Sequence, residues 1–158
     1  MSIDRGIEYF IIDVLLSVEK IRRYSSNIFD AHDLMVKDKE FDAILRSFEI
    51  LSEALWHILR DSTLAEFVNP EWRVIKGVRN IIVHEYFGIN YNELFKIIKK
   101  DLSTFEVEFL DFIKNFVNQE DYLDRWCKAV KTVYSELMVF GRIESSEFLL
   151  QVNKKVCS

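Results

Sequence analysis

The chain has one proline and four glycines in 158 residues, too few turn formers for a β-sandwich or barrel, whose many short strands each need a reversal. Cysteine is as scarce. Cys127 and Cys157 form no Cys-x-x-Cys pair and have no histidine neighbour in sequence, so a disulfide framework or a zinc site has no support. No apolar run long enough to span a bilayer is free of charges, and Met1-Ser2-Ile3-Asp4-Arg5 lacks the basic and apolar regions of a leader. The expected setting is therefore cytosolic, away from membranes. An excess of positive charge is also missing: the net charge is −5, whereas phosphate contacts normally come with a basic surface.

What the sequence does have is apolar material at helical spacing. With 49% hydrophobic and 14% aromatic residues it can bury a core, and the expected fold is all-α. The expectation is an antiparallel bundle of four to five helices over residues 1–118, followed by a C-terminal helical extension over 119–158 whose role the sequence does not give. Ile7, Ile11, Val14, Val18 and Ile21 make the seam of a first helix from about Asp4 to Tyr24. Asn27 to Asp38 reads as a loop with one helical turn around Asp30 to Met35. Lys39 to Arg60 reads as a second long helix with a broad stripe that includes Phe41, Ile44, Phe48, Leu51 and Leu55.

Asp61-Ser62-Thr63 signals a short turn, with Thr63-x-x-Glu66 as a capping box. Asn90-x-x-Glu93 opens a helix to Lys100, and Ser103-x-x-Glu106 signals a further start. That helix carries Phe105, Phe109, Phe112, Ile113 and Phe116 on one face, which reads as core rather than as a base-stacking platform. Tyr122, Trp126, Val130, Val133, Leu137 and Phe140 keep a helical period up to a C-cap at Gly141. Arg142 to Ser158 is weakly patterned. Residues 119–158 balance six basic against six acidic side chains, so the acidic excess lies in residues 1–118.

The chemistry-bearing stretch is Arg79-Asn80-Ile81-Ile82-Val83-His84-Glu85-Tyr86. Asn69-Pro70, the cap and first-turn proline, and Gly88 bound a helix at about 70 to 87, with Trp72, Ile75, Val78, Ile82 and Val83 on its core side. Arg73, Lys76, Arg79 and Asn80 fall at i, i+3, i+6 and i+7, a mostly basic stripe that makes Arg73 and Lys76 candidates for RNA contacts. Lys96, Lys99 and Lys100 form a second basic cluster that reads as solvated surface. At about 100° per residue, Asn80 and His84 are neighbours, while Arg79 and His84 stand roughly 140° apart. Those two can meet at one substrate only if the arginine reaches across or a second subunit closes the site. A guanidinium stabilises charge on phosphate oxygens and an imidazole moves a proton near neutral pH. No acidic cluster at ligand spacing lies nearby, so no metal is expected. Metal-free cleavage needs a nucleophile on the substrate, which RNA has in its 2′-hydroxyl and DNA lacks. His32 reads as surface, His57 as a packed, hydrogen-bonded residue, and Glu53 as an exposed flank within reach of the site.

Arg79-Asn80-x-x-x-His84-x-Tyr86 resembles the Arg-x4-His-x-Tyr signature of the HEPN superfamily, in particular its HepT-like toxins. Phe48-Glu49-Ile50-Leu51-Ser52-Glu53-Ala54, Trp72-x-x-Ile75-x-Gly77, Tyr86-Phe87-Gly88-Ile89 and Asp101-Leu102 are similar to the segments around that signature. The resemblance covers about residues 4 to 117. It implies a bundle that dimerises with its motifs facing each other, a metal-independent endoribonuclease without cofactor. Arg79 and His84 would be catalytic, and Asn80 would orient them. Tyr86 would receive AMP from an MntA-like minimal nucleotidyltransferase antitoxin. A second implied class is a non-catalytic nucleotide- or substrate-binding partner of such a nucleotidyltransferase, which the acidic net charge favours. Family members usually end near the position of Phe116 and Val117, whereas this chain continues for some forty residues.

Overall fold

The computed structural model describes residues 5–84, 88–119 and 121–158, and the side chains of Arg79 and of residues 81–84 lie outside that description. Among the described residues the chain is helical and has no strand. Helix α1 (Ile7–Tyr24) and helix α3 (Asp38–Arg60) form the most extensive pair and bury the seam expected of each, apart from the half-buried Ile7 and Phe41. The short α2 (Ala31–Val36) lies between them in sequence and is capped by the Asp30 carboxylate, which accepts the Asp33 N–H. It packs against α5 (Tyr91–Lys96), itself capped by Asn90 accepting from the Glu93 N–H.

Two start signals behave differently from expectation. The turn after α3 is capped by Asp61, whose carboxylate accepts from the Thr63 N–H, rather than by Thr63 reaching for Glu66. Ser103 starts no helix. From α5 the backbone passes through one π-helical stretch, Ile97–Asp101, straight into α6 (Leu102–Val117), and the first residues of α6 make no side-chain cap. A helix that is already propagating offers Ser103 no orphan N–H groups to satisfy. Lys99 is exposed, as expected, and also donates its ammonium to the Ser25 carbonyl at 2.8 Å.

Helix α4 (Arg73–His84) is entered through a 3₁₀ turn at Pro70–Trp72, so its α-helical part starts three residues later than the proline suggested. Asn69 caps that turn by accepting from the Glu71 N–H. Trp72 anchors it: its ring meets Phe105, Phe109 and Phe112 of α6 at centroid distances of 5.5, 5.3 and 5.5 Å. The Trp72 indole N–H and the Asn69 amide both donate to one Glu108 carboxylate oxygen, at 3.0 and 3.1 Å. Ile75 and Val78 then face the core, and α4 lies along α3.

The chain beyond Val117 is a helical pair, α7 (Tyr122–Val139) and α8 (Ile143–Val156), joined at Gly141 with φ +66°. It packs on α1 and α6. Trp126 is completely buried and donates to Asn153 at 2.9 Å, tying α7 to α8. Two nearly buried carboxylates of α1 hold the pair to the bundle. Glu8 receives Arg125 at 2.9 Å, and Glu19 receives Ser145 at 3.0 Å.

Candidate functional site

The stripe read on α4 opens onto a cleft of about 540 Å³ between α3 and α4. From α4 come Arg73, Lys76, Gly77 and Asn80, which share one face of the helix by their 3, 4 and 7 spacing. From α3 come Ser52, Glu53, Trp56 and His57, two pairs at i, i+4 on the flank opposite the apolar stripe. The candidates Arg73, Lys76 and Asn80 are thus brought together. Arg79 and His84 lie on the same helix, but their side chains fall outside the described set, as does Tyr86 altogether, along with the expected helix end at 85–87.

The walls differ chemically. Arg73 and Asn80 are exposed on the α4 side, with Lys76 half-buried between them. Gly77 leaves the middle of that wall bare, since a Cβ built there meets nothing within 4 Å. On the α3 side Trp56 keeps 36% of its surface in solvent, with the Arg60 guanidinium 4.0 Å from its ring centroid. His57 makes no hydrogen bond among the described residues, contrary to expectation. Its ring instead lies flat on Phe10, 4.0 Å between centroids and 14° from parallel, and meets Trp56 edge-on at 4.9 Å. At the base, Ser52 is only 2% exposed and its hydroxyl has no hydrogen-bond partner among the described residues. His32 is exposed on α2, as read.

The sequence pointed to Glu53 as a flank residue and missed Ser52, Trp56 and the outward-facing side of His57. The signal present was the large aromatic placed off the apolar stripe of α3, which core packing does not require. Among the described residues no three His, Cys, Asp or Glu side chains gather as metal ligands would. No helix among those residues is long and apolar enough to cross a membrane.

A HEPN-like bundle carrying Arg-x4-His on the helix that borders a polar cleft defines the class. The chain belongs to the ribonuclease HepT-like family, whose model matches residues 14–125. It is 33% identical over 104 residues to MJ1380 of Methanocaldococcus jannaschii, named as a candidate RNase, covering 66% of this chain and 94% of that protein. It is 28% identical over 107 residues to the "Probable ribonuclease HepT" of Thermococcus cleftensis, covering 66% of this chain and 94% of the relative. A longer alignment, 22% identical over 152 residues, spans 96% of this chain and 63% of MJ0434 of M. jannaschii, named for a gamma-glutamylcyclotransferase and a candidate RNase. No solved structure matches.

Proposed function

We propose that the chain is a metal-independent endoribonuclease acting on single-stranded RNA as a homodimer, and that it is the toxin of a toxin–antitoxin pair. The observation that carries this reading is the cleft beside α4. There the helix bearing Arg79-x4-His84 presents Arg73, Lys76 and Asn80 together, in a chain that matches the HepT-like family over most of its length.

The chemistry needs only side chains and substrate. One imidazole takes the proton of the ribose 2′-hydroxyl, and the oxygen attacks the adjacent phosphorus. The bond to the 5′-oxygen of the next nucleotide breaks, and a second, protonated imidazole supplies the proton to that leaving oxygen. The products are a 2′,3′-cyclic phosphate and a 5′-hydroxyl. Arg79 stabilises the charge that gathers on the non-bridging oxygens. The roughly 140° between Arg79 and His84 around one helix makes a partner subunit the natural source of the second imidazole. Asn80 orients the pair, while Arg73 and Lys76 hold flanking phosphates. Tyr86, two residues beyond His84, is a site for AMP transfer from a minimal nucleotidyltransferase. The phenol displaces pyrophosphate from ATP, and the added nucleotide places bulk and negative charge where the RNA phosphate must sit.

The purified chain is expected to cut single-stranded RNA in EDTA. His84→Ala and Arg79→Ala should each lower the rate by about 10²-fold or more while leaving the dimer intact. Unchanged cutting by His84→Ala overturns the catalytic assignment. Incubation with the nucleotidyltransferase and ATP should place AMP on Tyr86, read by mass spectrometry, and stop cleavage. A second reading, favoured by the net charge of −5, is a non-catalytic partner of a nucleotidyltransferase. Tight association with that enzyme and no cleavage by the free dimer would select it.

A further inference from the structure

The cleft between α3 and α4 does not end at His57. The same imidazole lines a second cleft of about 530 Å³, reached past the C-terminal end of α3 and walled by the start of α1 and by α7. Its chemistry is arginine on aromatic. Arg60 lies over Trp56 at 4.0 Å, Arg125 over Tyr122 at 5.0 Å, and Arg5 over Phe10 at 5.5 Å.

Among the described residues, the linings of the two clefts carry five cationic side chains, Arg5, Arg60, Arg73, Lys76 and Arg125, against two carboxylates, Glu53 and Asp61. The whole chain has the opposite balance, −5, whereas this path keeps an excess of cations, five against four, even when the Glu8 and Asp13 carboxylates paired with Arg125 and Arg5 are counted. Two of the arginines are braced from behind: Arg125 by Glu8 and Arg5 by Asp13, at 2.9 and 2.8 Å. Neither carboxylate lines the cleft, and a guanidinium has five N–H donors, so the bridges fix the heads without exhausting them.

We propose that the two adjoining clefts form one track for single-stranded RNA, running from Asn80 past the ring pair Trp56 and His57 to Arg60 and Arg125, so that the C-terminal extension supplies part of the substrate-binding surface. The inference rests on the RNA-cutting reading of the same site. Alternating flat rings and cations suit a strand that must stack bases and neutralise phosphates along its length. An acidic protein surface would use the charges but has no need of the stacked rings.

The test uses the full chain with His84→Ala, which binds without cutting, and fluorescein-labelled oligouridylates of about four and about twelve nucleotides. In that background Arg60→Glu and Arg125→Ala should weaken binding of the longer RNA by about fivefold or more. Each should also lower the salt-dependence slope by about one, and the short RNA held at the motif should be little affected. Trp56→Ala should cost the longer RNA about fivefold or more, and Trp56→Phe should restore most of it. Arg125→Ala leaves the nearly buried Glu8 without its partner. Arg60 enters no ion pair among the described residues, so Arg60→Glu is the decisive variant where Arg125→Ala fails to fold. Parental affinity of Arg60→Glu for the longer RNA overturns the track. So does loss of binding to the nucleotidyltransferase with RNA affinity unchanged, which would give the surface to a protein partner. Cutting by the unsubstituted chain is measured separately. If it cuts and the track variants bind normally, the track fails and the nuclease reading stands. If the variants lose RNA affinity in a chain that never cuts, the reverse holds.

Discussion

A glycine in the middle of a helix is destabilising by about 1 kcal/mol relative to alanine, because the unfolded chain loses more freedom on ordering it. Gly77 occupies such a position in α4, yet no neighbour is close enough to demand it: a Cβ there would meet nothing within 4 Å. What it does is leave the α4 wall of the cleft bare between Lys76 and Asn80. Gly77→Ala is therefore expected to stabilise the fold by about 0.5 to 1 kcal/mol while slowing RNA cleavage, by narrowing the space a nucleotide would occupy. Urea unfolding and a cleavage assay on the same preparation check the two halves. Greater stability with unchanged cleavage would remove Gly77 from the site. The α4 half of this cleft was legible in the sequence because Arg73, Lys76 and Asn80 repeat at helical spacing on one segment. Of the α3 half only Glu53 was, because which flank of α3 faces α4 is decided by tertiary pairing, and only that pairing turns Trp56 and His57 from ordinary aromatic residues into lining.

At the scale of elements, the same sequence signal meant two different things in two places. Asn90-x-x-Glu93 and Ser103-x-x-Glu106 both look like helix starts, but only Asn90 stands where a helix begins and has free N–H groups to bind. Ser103 lies on a helix already running through the π-helical stretch at Ile97–Asp101. Asn90→Ala should cost about 1 kcal/mol in urea unfolding, and Ser103→Ala about 0.5 kcal/mol or less. Equal losses would show that Ser103 caps after all. The π stretch itself carries no residue pattern that distinguishes it from α-helix, with Ile97 and Ile98 buried and Lys99 and Lys100 exposed. Helix α8 falls inside the helical extension expected over 119–158, but its stretch read as weakly patterned for another reason: its buried positions include Ser145 and Ser146 beside Leu149, Val152 and Val156. Two of its five buried positions are thus not apolar, and an amphipathic pattern built partly of serine does not register as one.

For the molecule as a whole, the question is whether residues 119–158 are an appendage or part of the body. The buried residues of α7 and α8 join the same core cluster as those of α1 and α6, and Trp126, Val130, Leu149, Val152 and Val156 are all inside it. Each such side chain contributes about 1.5 to 3 kcal/mol of transfer free energy when fully buried, comparable in sum to the net stability of a whole domain. Removing the pair would also take Arg125 from Glu8 and Ser145 from Glu19, which keeps Arg23. Residues 1–118 alone should therefore melt on the order of ten degrees or more below the full chain and bind an apolar dye that the full chain does not. The relatives that this chain spans to 94% of their length align with 66% of it. In this chain α7 and α8 cover α1 and α6 through a shared apolar core, with the Glu8 and Glu19 carboxylates of α1 tied in at the same face. Scanning calorimetry of the two lengths decides the matter: equal melting temperatures with no dye binding would make the pair a detachable appendage, and would require the buried Trp126 to be a feature of the pair alone.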